Sequence, residues 1–241
     1  MFVVSGASNN HYKSLCNFTK SFIKSNETQS HKLIIYDLGI DPHRWESFKK
    51  EFKENIEFKE FDYSKYPSWY NVNIDAGQYA WKPAIIKEVY NKYPNEIIVW
   101  MDAGNLIKNL EPLYQFLLKN GIYSPTSAPF LPRHIHIDTI NYFKYKHLIR
   151  MNRNGACIGF NTTQEYARNL LEDFSKYCSI KECIAPDGSN RSNHRQDQAV
   201  LTILYYIHYD KYKFKSEDKY LGFSIHNDVK DEDDNISASK N

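Results

Sequence analysis

The sequence lacks several features that would place it in a class at once. No segment approaches the roughly 18 consecutive apolar residues that a membrane-spanning helix needs. Its 31 basic and 29 acidic residues nearly cancel, to a net charge of +2, so the basic field typical of nucleic-acid-binding proteins is absent. We therefore expect no transmembrane segment and no nucleic acid partner.

Cysteine is scarce, and its pattern matches no metal or redox motif. The four cysteines form no CxxC pair and no zinc-binding spacing, so reduced thiols are the simplest interpretation. Met1 to Ser5 carry neither the basic leader nor the apolar core of a signal peptide. These absences predict a soluble, cytoplasmic protein.

Two nucleotide-binding signatures are also missing, the GxGxxG pattern and the P-loop lysine pattern. What the sequence does contain is an alternation of short apolar runs and segments of helical period, with 41% apolar residues, enough for a full core. Strands are predicted at 2–5, 32–36, 56–61, 96–101, 155–161, 212–215 and 222–225. We predict an α/β fold, a mixed and mostly parallel central sheet flanked by helices, in one domain over residues 1–230. The acidic and polar residues 231–241 are predicted to be a disordered tail.

The most informative stretch is the apolar run from Glu96 to Met101, which reads as a strand buried on both faces. It ends in Asp102, followed by Ala103, Gly104 and Asn105. In open α/β sheets ligands bind outside the carboxyl ends of strands, so Asp102 is a candidate ligand-binding carboxylate. The alternative is that Asp102 only begins a turn or caps the next helix.

Other polar residues fall at predicted element ends. The second strand ends in Asp37, and the turn that begins at Gly6 after the first strand either holds a nucleotide through its backbone N–H groups or is an ordinary connection. Lys82 lies at a predicted helix start, where a cation is disfavoured without an anion nearby. That placement indicates a phosphate or carboxylate partner, and a solvated lysine is the alternative.

Two further segments carry candidate residues. His134, His136 and Asp138 alternate and would share one face of an extended strand, as a weak metal site, a rim that touches an acceptor, or a plain surface strand. Asp197 and Gln198 lie in the first turn of a long predicted helix, after a polar loop. There Asp197 is either a functional carboxylate or a partner of the helix dipole.

Five segments in order along the chain resemble a glycosyltransferase of the GT-A fold, and they lie at 4–11, 35–39, 79–83, 99–105 and 195–199. They are similar to the families with a Trp-x-Asp-Ala-Gly centre found in viruses, bacteria and nematodes, over residues 2 to 228. The resemblance implies a single GT-A-like, Rossmann-like domain. It also implies transfer of a hexose or pentose from a nucleotide-diphosphate donor to a glycan or other hydroxyl acceptor, with a UDP-sugar favoured and a GDP-sugar possible.

The resemblance also implies residue roles, including a cofactor, Mn²⁺ or Mg²⁺, held by Asp102, Asn105 and His226. Asp197 is implied to act in catalysis beside the acceptor, with Gln198, and the alternating pattern adds His136 on the acceptor side. The implied donor-binding residues are Ser5, Gly6, Ala7, Asp37, Lys82, Asp102, Ala103 and Gly104.

One departure from the family pattern matters. Gly104 stands where the second Asp of an Asp-x-Asp motif is expected. This departure keeps open a second interpretation, a nucleotide-sugar-binding module without turnover. A hydrolase with Asp102 as its nucleophile is a weaker third one, because no Asp-x-Asp-x-Thr follows the strand. Sequence alone does not decide between retention and inversion at the sugar.

Overall fold

The computed structural model describes residues 1–25, 27, 30–53 and 55–229. The predicted tail at 231–241 lies outside the described residues, so its disorder stays a prediction. Among the described helices, none has the length and apolar character that crossing a membrane requires.

Ten strands are described, and six of them form the central sheet in the order β3-β2-β1-β4-β9-β6. β1, β2 and β3 run parallel, with Ala7 opposite Asp37, and β6 runs antiparallel to β9. The predicted mixed, mostly parallel sheet flanked by helices is confirmed. The strands are β1 (Phe2–Ala7), β2 (Lys32–Asp37), β3 (Ile56–Glu60), β4 (Ile97–Met101), β5 (Leu106–Ile107), β6 (Ile122–Tyr123), β7 (Thr126–Phe130), β8 (Met151–Arg153), β9 (Cys157–Asn161) and β10 (Phe223–Ser224).

Eight α-helices are described beside the strands. They are α1 (Tyr12–Lys24), α2 (Pro42–Glu51), α3 (Trp81–Lys92), α4 (Glu111–Asn120), α5 (Ile137–Tyr142), α6 (Glu165–Cys178), α7 (Lys181–Ile184) and α8 (Gln196–Tyr212). α1 and α6 bury one apolar face each, whereas α8 buries residues on most of its circumference along its first half. The helical periods seen in the sequence therefore correspond to real packing faces.

The chain divides into two compact units. Unit 1 contains residues 1–61, 99–115 and the described residues from Tyr220 on. Its core is aromatic: the rings of Trp45 and Phe48 stack with centroids 5.6 Å apart, and Phe58 meets both edge to face. Offset and edge-to-face pairs of this kind add stabilisation beyond the apolar area that they bury. These aromatic contacts pack α2 against Phe58 of β3.

Unit 2 contains residues 62–98 and 116–219. Its core comes from α3, α6 and α8, which contribute fully buried side chains such as Ile85, Leu170 and Val200. β7 and β8 form a separate two-stranded sheet, beside which α5 packs Ile140 against Ala199 and Ile203 of α8. This packing fixes the first turn of α8, which carries the candidate residues Asp197 and Gln198.

Two local predictions are wrong. Residues 212–215 form no strand, because Tyr212 is the last residue of α8 and Lys213 ends it in a left-handed conformation. Residues 133–138 are not extended either: a 3₁₀ turn ends at Arg133, and His136 is the N-cap of α5. In place of a strand, Ile135 and Ile140 are buried together in one apolar cluster.

Candidate functional site

In unit 1, Asp102 directly follows the last residue of β4, all five residues of which are buried. Its carboxylate accepts a hydrogen bond of 2.6 Å from the indole N–H of Trp100, and its backbone carbonyl accepts one from the N–H of Asn105. The turn in the alternative interpretation is present, and a ligand contact of Asp102 stays a prediction. Its backbone opens a turn, while its half-buried carboxylate is held in a defined orientation at the carboxyl edge of the sheet.

The predicted turn at Gly6 begins later than expected. Ser5, Gly6 and Ala7 all lie inside β1, and the Ala7 carbonyl accepts a hydrogen bond from the Leu38 N–H. A Cβ on Gly6 would lie 3.0 Å from the Tyr36 carbonyl oxygen, so glycine permits this close strand pairing. The first residues beyond the sheet are Ser8 and a 3₁₀ turn at Asn9–His11, which lie within the segment 4–11 of the resemblance.

Asp37 ends β2, as predicted, and its side chain shapes the loop that follows. One carboxylate oxygen accepts hydrogen bonds from the N–H groups of Gly39, at 2.7 Å, and Ile40, at 2.6 Å. This local side-chain to backbone pattern is typical of an aspartate that initiates a turn. A contact between Asp37 and a nucleotide stays a prediction.

Gly104 lies against a carboxylate that the sequence analysis did not single out. A Cβ built on Gly104 would lie 2.4 and 2.6 Å from the two carboxylate oxygens of Asp228. The backbone N–H of Asn227 donates to the Gly104 carbonyl at 2.8 Å, and His11 Nε2 lies 4.0 Å from Asp228 Oδ1. The missing side chain at 104 thus makes room for a carboxylate from the end of the described chain. In the sequence, the glycine at the position of the second Asp indicated that this site is unusual. The sequence did not indicate that Asp228 occupies the space beside Gly104.

The predicted metal ligands have defined places. Asn105 is buried just after Asp102, and His226 has a φ of 58°. Across the described residues, no three His, Cys, Asp or Glu side chains form a group that would hold a metal ion. The ligand roles of Asp102, Asn105 and His226 stay predictions.

In unit 2, Lys82 and Asp197 form an ion pair with 3.1 Å between Nζ and Oδ2. Lys82 is 3% and Asp197 5% exposed, so the alternative of a solvated lysine is wrong. Lys82 Nζ also donates to the Gly155 carbonyl at 3.1 Å. The anion expected beside Lys82 at the start of α3 is therefore a carboxylate of the chain itself. Asp197 is the partner of this ion pair and is also an acidic residue in the first turn of α8.

Gly155 is part of this buried cluster. A Cβ there would lie 3.3 Å from Asp197 Oδ2 and 3.4 Å from the Gln198 Cβ, tighter than most real contacts. The small residue lets the connection between β8 and β9 approach side chains in the first turn of α8. Gln198 is half-buried beside it.

A strained turn precedes Lys82. Asp75–Tyr79 have φ angles between 47° and 60°, a left-handed run that only glycine adopts without cost, and only Gly77 is glycine. Trp81 donates its indole N–H to the Ala76 carbonyl at 3.0 Å, and Arg191 donates to the Tyr79 hydroxyl at 2.8 Å. Backbone strain of this kind clusters at functional sites, which makes the turn a candidate that the sequence did not reveal.

His136 is held by a buried histidine. The His136 N–H donates to Nδ1 of His194 at 3.1 Å, so the proton of the neutral ring is on Nε2, which donates to the Ile184 carbonyl at 2.8 Å. Burial is the main cause that lowers the pKa of His194 to about 4. These bonds fasten the loop before α8 to the segment that begins α5. A contact of His136 with an acceptor stays a prediction.

Residues 1–87 match a family model described as "Protein of unknown function (DUF1647)". No curated protein matches the sequence. Among solved structures, the galactosyltransferase LgtC in complex with donor and acceptor sugar analogues is 16% identical, with 85% of this chain and 70% of that chain covered and a TM-score of 0.57.

The apo structure of the bifunctional glycosyltransferase WbbM is 12% identical, with a TM-score of 0.57, and the match covers 86% of this chain and 37% of WbbM. At such identities the likeness shows the fold, and the fold is that of GT-A glycosyltransferases. The predicted fold class is confirmed. Membership of the Trp-x-Asp-Ala-Gly families stays a prediction.

Proposed function

We propose that this protein is a glycosyltransferase that moves a hexose or pentose from a nucleotide-diphosphate donor to a hydroxyl group of a glycan or another acceptor. A UDP-sugar is the favoured donor, and a GDP-sugar is the second choice. The observation that carries the proposal is the GT-A fold shared with LgtC, with Asp102 at the carboxyl end of the central strand. Ligands of open α/β sheets bind at that edge.

The donor side of the proposal lies in unit 1. Its parts are the end of β1 at Ala7 with the turn that follows, Asp37 at the end of β2, and Asp102 with Ala103 after β4. Backbone N–H groups in a turn before a helix suit the phosphates. Asp37 lies where a polar group of the nucleotide would meet the edge of the sheet.

A divalent cation belongs to this proposal. When bound, Mn²⁺ or Mg²⁺ stabilises the negative charge that develops on the diphosphate leaving group. Carboxylate and amide oxygens suit such hard cations, so Asp102 and Asn105 fit in kind, and His226 adds an imidazole. The space at Gly104 holds a further carboxylate, that of Asp228, so an additional ligand of suitable kind lies beside the incomplete Asp-x-Asp motif.

The acceptor side lies in unit 2, at the start of α8. The Lys82 ammonium lies 3.1 Å from the Asp197 carboxylate. A carboxylate is suited to accept a hydrogen bond from an acceptor hydroxyl. Gln198, half-buried beside it, adds an amide. We assign Asp197 the role of orienting the acceptor. The competing role is that of a general base, and a mutation at Asp197 distinguishes the two.

A nucleotide-sugar-binding module without turnover is the second candidate function. The observation that favours it is Gly104, which removes one carboxylate from the Asp-x-Asp position.

A thermal-shift screen of UDP- and GDP-sugars, with and without Mn²⁺, tests the proposal. A donor at about 100 times its Kd stabilises the native state by about 2.7 kcal/mol, and each kcal/mol raises Tm by about 2–4 °C for a chain of this size. We expect such a rise for one UDP-sugar with Mn²⁺, together with slow release of UDP from it. A rise without any release of UDP assigns the binding module, and no rise with any donor contradicts both functions.

A further inference from the structure

We propose that Asp228 supplies the carboxylate that Gly104 lacks, so that Asp102 and Asp228 together hold the divalent cation of the donor diphosphate. This inference rests on the proposed function, whose metal site it completes. In the Asp-x-Asp motif the second carboxylate comes from residue 104. Here the inference assigns that role to Asp228, near the end of the described chain.

The first support is the space at Gly104. Both carboxylate oxygens of Asp228 lie within 2.6 Å of the place where a Cβ on residue 104 would be, with Oδ1 at 2.4 Å. Real Cβ atoms do not approach other atoms so closely. A side chain at 104 and the Asp228 carboxylate therefore exclude one another, and the chain has a carboxylate at this place only because residue 104 is glycine.

The second support is the way in which Asp228 is positioned. The residues on both of its sides are fixed by backbone N–H groups: Asn227 donates to the Gly104 carbonyl at 2.8 Å, and Val229 donates to the hydroxyl of the buried Ser14 at 2.9 Å. The Asn227 side chain adds a bond of 3.1 Å to the Ser224 hydroxyl. A ligand held by its supporting shell is what precise metal coordination requires.

The third support is accessibility. The Asp228 side chain is 46% exposed, and the nearby His11 side chain is 51% exposed, with its Nε2 4.0 Å from Asp228 Oδ1. A hydrated cation with its diphosphate can therefore reach this carboxylate from solvent. His11 belongs to the turn after β1, so the carboxylate lies beside the segment assigned to the phosphates.

Two protein carboxylates are enough for such a site. Mg²⁺ in phosphate-transfer sites is usually bound by one or two carboxylates together with the phosphates of the substrate and water, not by a cage of protein ligands. The diphosphate completes the coordination.

The test measures Mn²⁺ binding to the full chain in the presence of UDP, from the electron paramagnetic resonance signal of free Mn²⁺. Four variants are compared with the parent: Asp228→Asn, Gly104→Asp, the double variant Gly104→Asp/Asp228→Gly, and the control Glu46→Gln, which removes an exposed carboxylate of α2. Circular dichroism establishes that each is folded.

We expect Asp228→Asn to weaken Mn²⁺ binding at least about tenfold, since even indirect metal contacts contribute 10- to 100-fold. The double variant moves the carboxylate from 228 to 104 and should recover most of the loss. Gly104→Asp alone should bind no better than the parent, because the new side chain displaces Asp228. Glu46→Gln should match the parent.

Tight binding by Asp228→Asn overturns the inference, and so does a folded double variant that binds no better than Asp228→Asn. A role of Asp228 only in docking the chain end predicts that second result. If the parent takes up no Mn²⁺ yet is stabilised by a UDP-sugar, this inference fails while the proposed function stands. If the double variant does not fold, the comparison of Asp228→Asn with the parent decides.

Discussion

At the scale of single residues, the sequence predicted that Lys82 has an anionic partner but did not identify Asp197 as that partner. The position of Lys82 at a helix start indicated an anionic partner, since a cation is disfavoured there. The partner comes from α8, far along the chain, and only the fold brings Asp197 and the Gly155 carbonyl to the ammonium group. A charge buried alone is costly, so each residue of the pair requires the other.

This coupling predicts a double-mutant result. Lys82→Met should lower the free energy of unfolding by about 3–5 kcal/mol, because it leaves the Asp197 charge buried without its partner. Lys82→Met/Asp197→Leu should cost clearly less than the sum of the two single changes. Urea unfolding at pH 7 measures all three variants.

An exposed pair provides the control. Lys20 and Glu51 lie at a similar distance, 3.0 Å, but their side chains are 58% and 48% exposed. Lys20→Met should therefore change stability by only about 0–1 kcal/mol. Strict additivity at Lys82 and Asp197 would show that the two are not energetically coupled.

The same position separates the two roles of Asp197. If it only orients the acceptor and balances Lys82, Asp197→Asn should keep most of the turnover per folded molecule. A general base is worth about 10² to 10⁴ in rate. A loss of that size, with donor affinity unchanged, would assign proton transfer to Asp197 instead.

His194 predicts a pH dependence of stability. Its pKa is about 4 in the folded protein against 6.5 for a free histidine, mainly because burial disfavours the charged ring. Below pH 6.5 the unfolded chain binds a proton that the folded chain does not, so stability is full above that pH and falls as the pH decreases toward 4. The loss from this residue totals about 3 kcal/mol.

The check is urea unfolding between pH 7 and pH 4 for the parent and His194→Asn. The variant should start less stable, since the His136 N–H and the Ile184 carbonyl lose their partner, but its stability should fall less steeply with acid. The variant His43→Asn, at an exposed position, serves as the control for removing a histidine outside this network. Equal slopes for His194→Asn and the parent would contradict the assignment.

At the scale of elements, buried strands and their ends were predictable because the signal is local. The apolar runs of β1, β2 and β4 are continuous in sequence, and the carboxylates Asp37 and Asp102 follow two of them directly. Parallel pairing aligns the carboxyl ends of β1 and β2 at one edge. The exact end of β1 was missed by two residues, because Gly6 weakens the strand pattern although strand pairing tolerates it.

Segments whose conformation depends on distant contacts were not predictable. The alternation of His134, Ile135 and His136 reads as a strand, yet a 3₁₀ turn and a helix cap replace it. Ile135 is buried against residues of α5 and α8, and the His136 N–H bonds to His194. Neither contact can be predicted from the local alternation of polar and apolar residues.

The left-handed turn before α3 predicts a difference between two glycines. Gly77 and Gly188 both have positive φ, 60° and 79°, but a Cβ on Gly77 would lie 2.2 Å from the Tyr70 carbonyl oxygen. On Gly188 the nearest atom, Nε2 of His136, would be 3.9 Å away. Gly188→Ala should cost about 1–2 kcal/mol from its backbone alone, and Gly77→Ala should cost distinctly more.

Thermal unfolding of the two variants measures this difference. Gly77→Ala should also weaken donor or acceptor binding if the turn positions Lys82 for function. Equal destabilisation by the two changes would show that the backbone of Tyr70 moves freely, and the turn would then not be a rigid support.

At the scale of the whole molecule, the order of short motifs along the chain carried the fold prediction. Each motif is weak alone, but together they matched the GT-A fold that LgtC shares at 16% identity. Such low identity does not carry an activity across, so the function depends on the chemistry at the strand ends. Gly104 is the clearest case, because the sequence shows only a missing Asp, whereas the structure shows the Asp228 carboxylate in the space beside Gly104.

The most direct test of the central claim is the rate at which UDP is released from a UDP-sugar in the presence of Mn²⁺, compared between the parent and Asp102→Asn. Asparagine keeps an oxygen for the Trp100 N–H, so the variant should fold normally. The account predicts that the parent releases UDP and that Asp102→Asn loses about 10²-fold or more of that rate, because the charge at the leaving group is no longer stabilised. Release of UDP by Asp102→Asn at the parent's rate would contradict it.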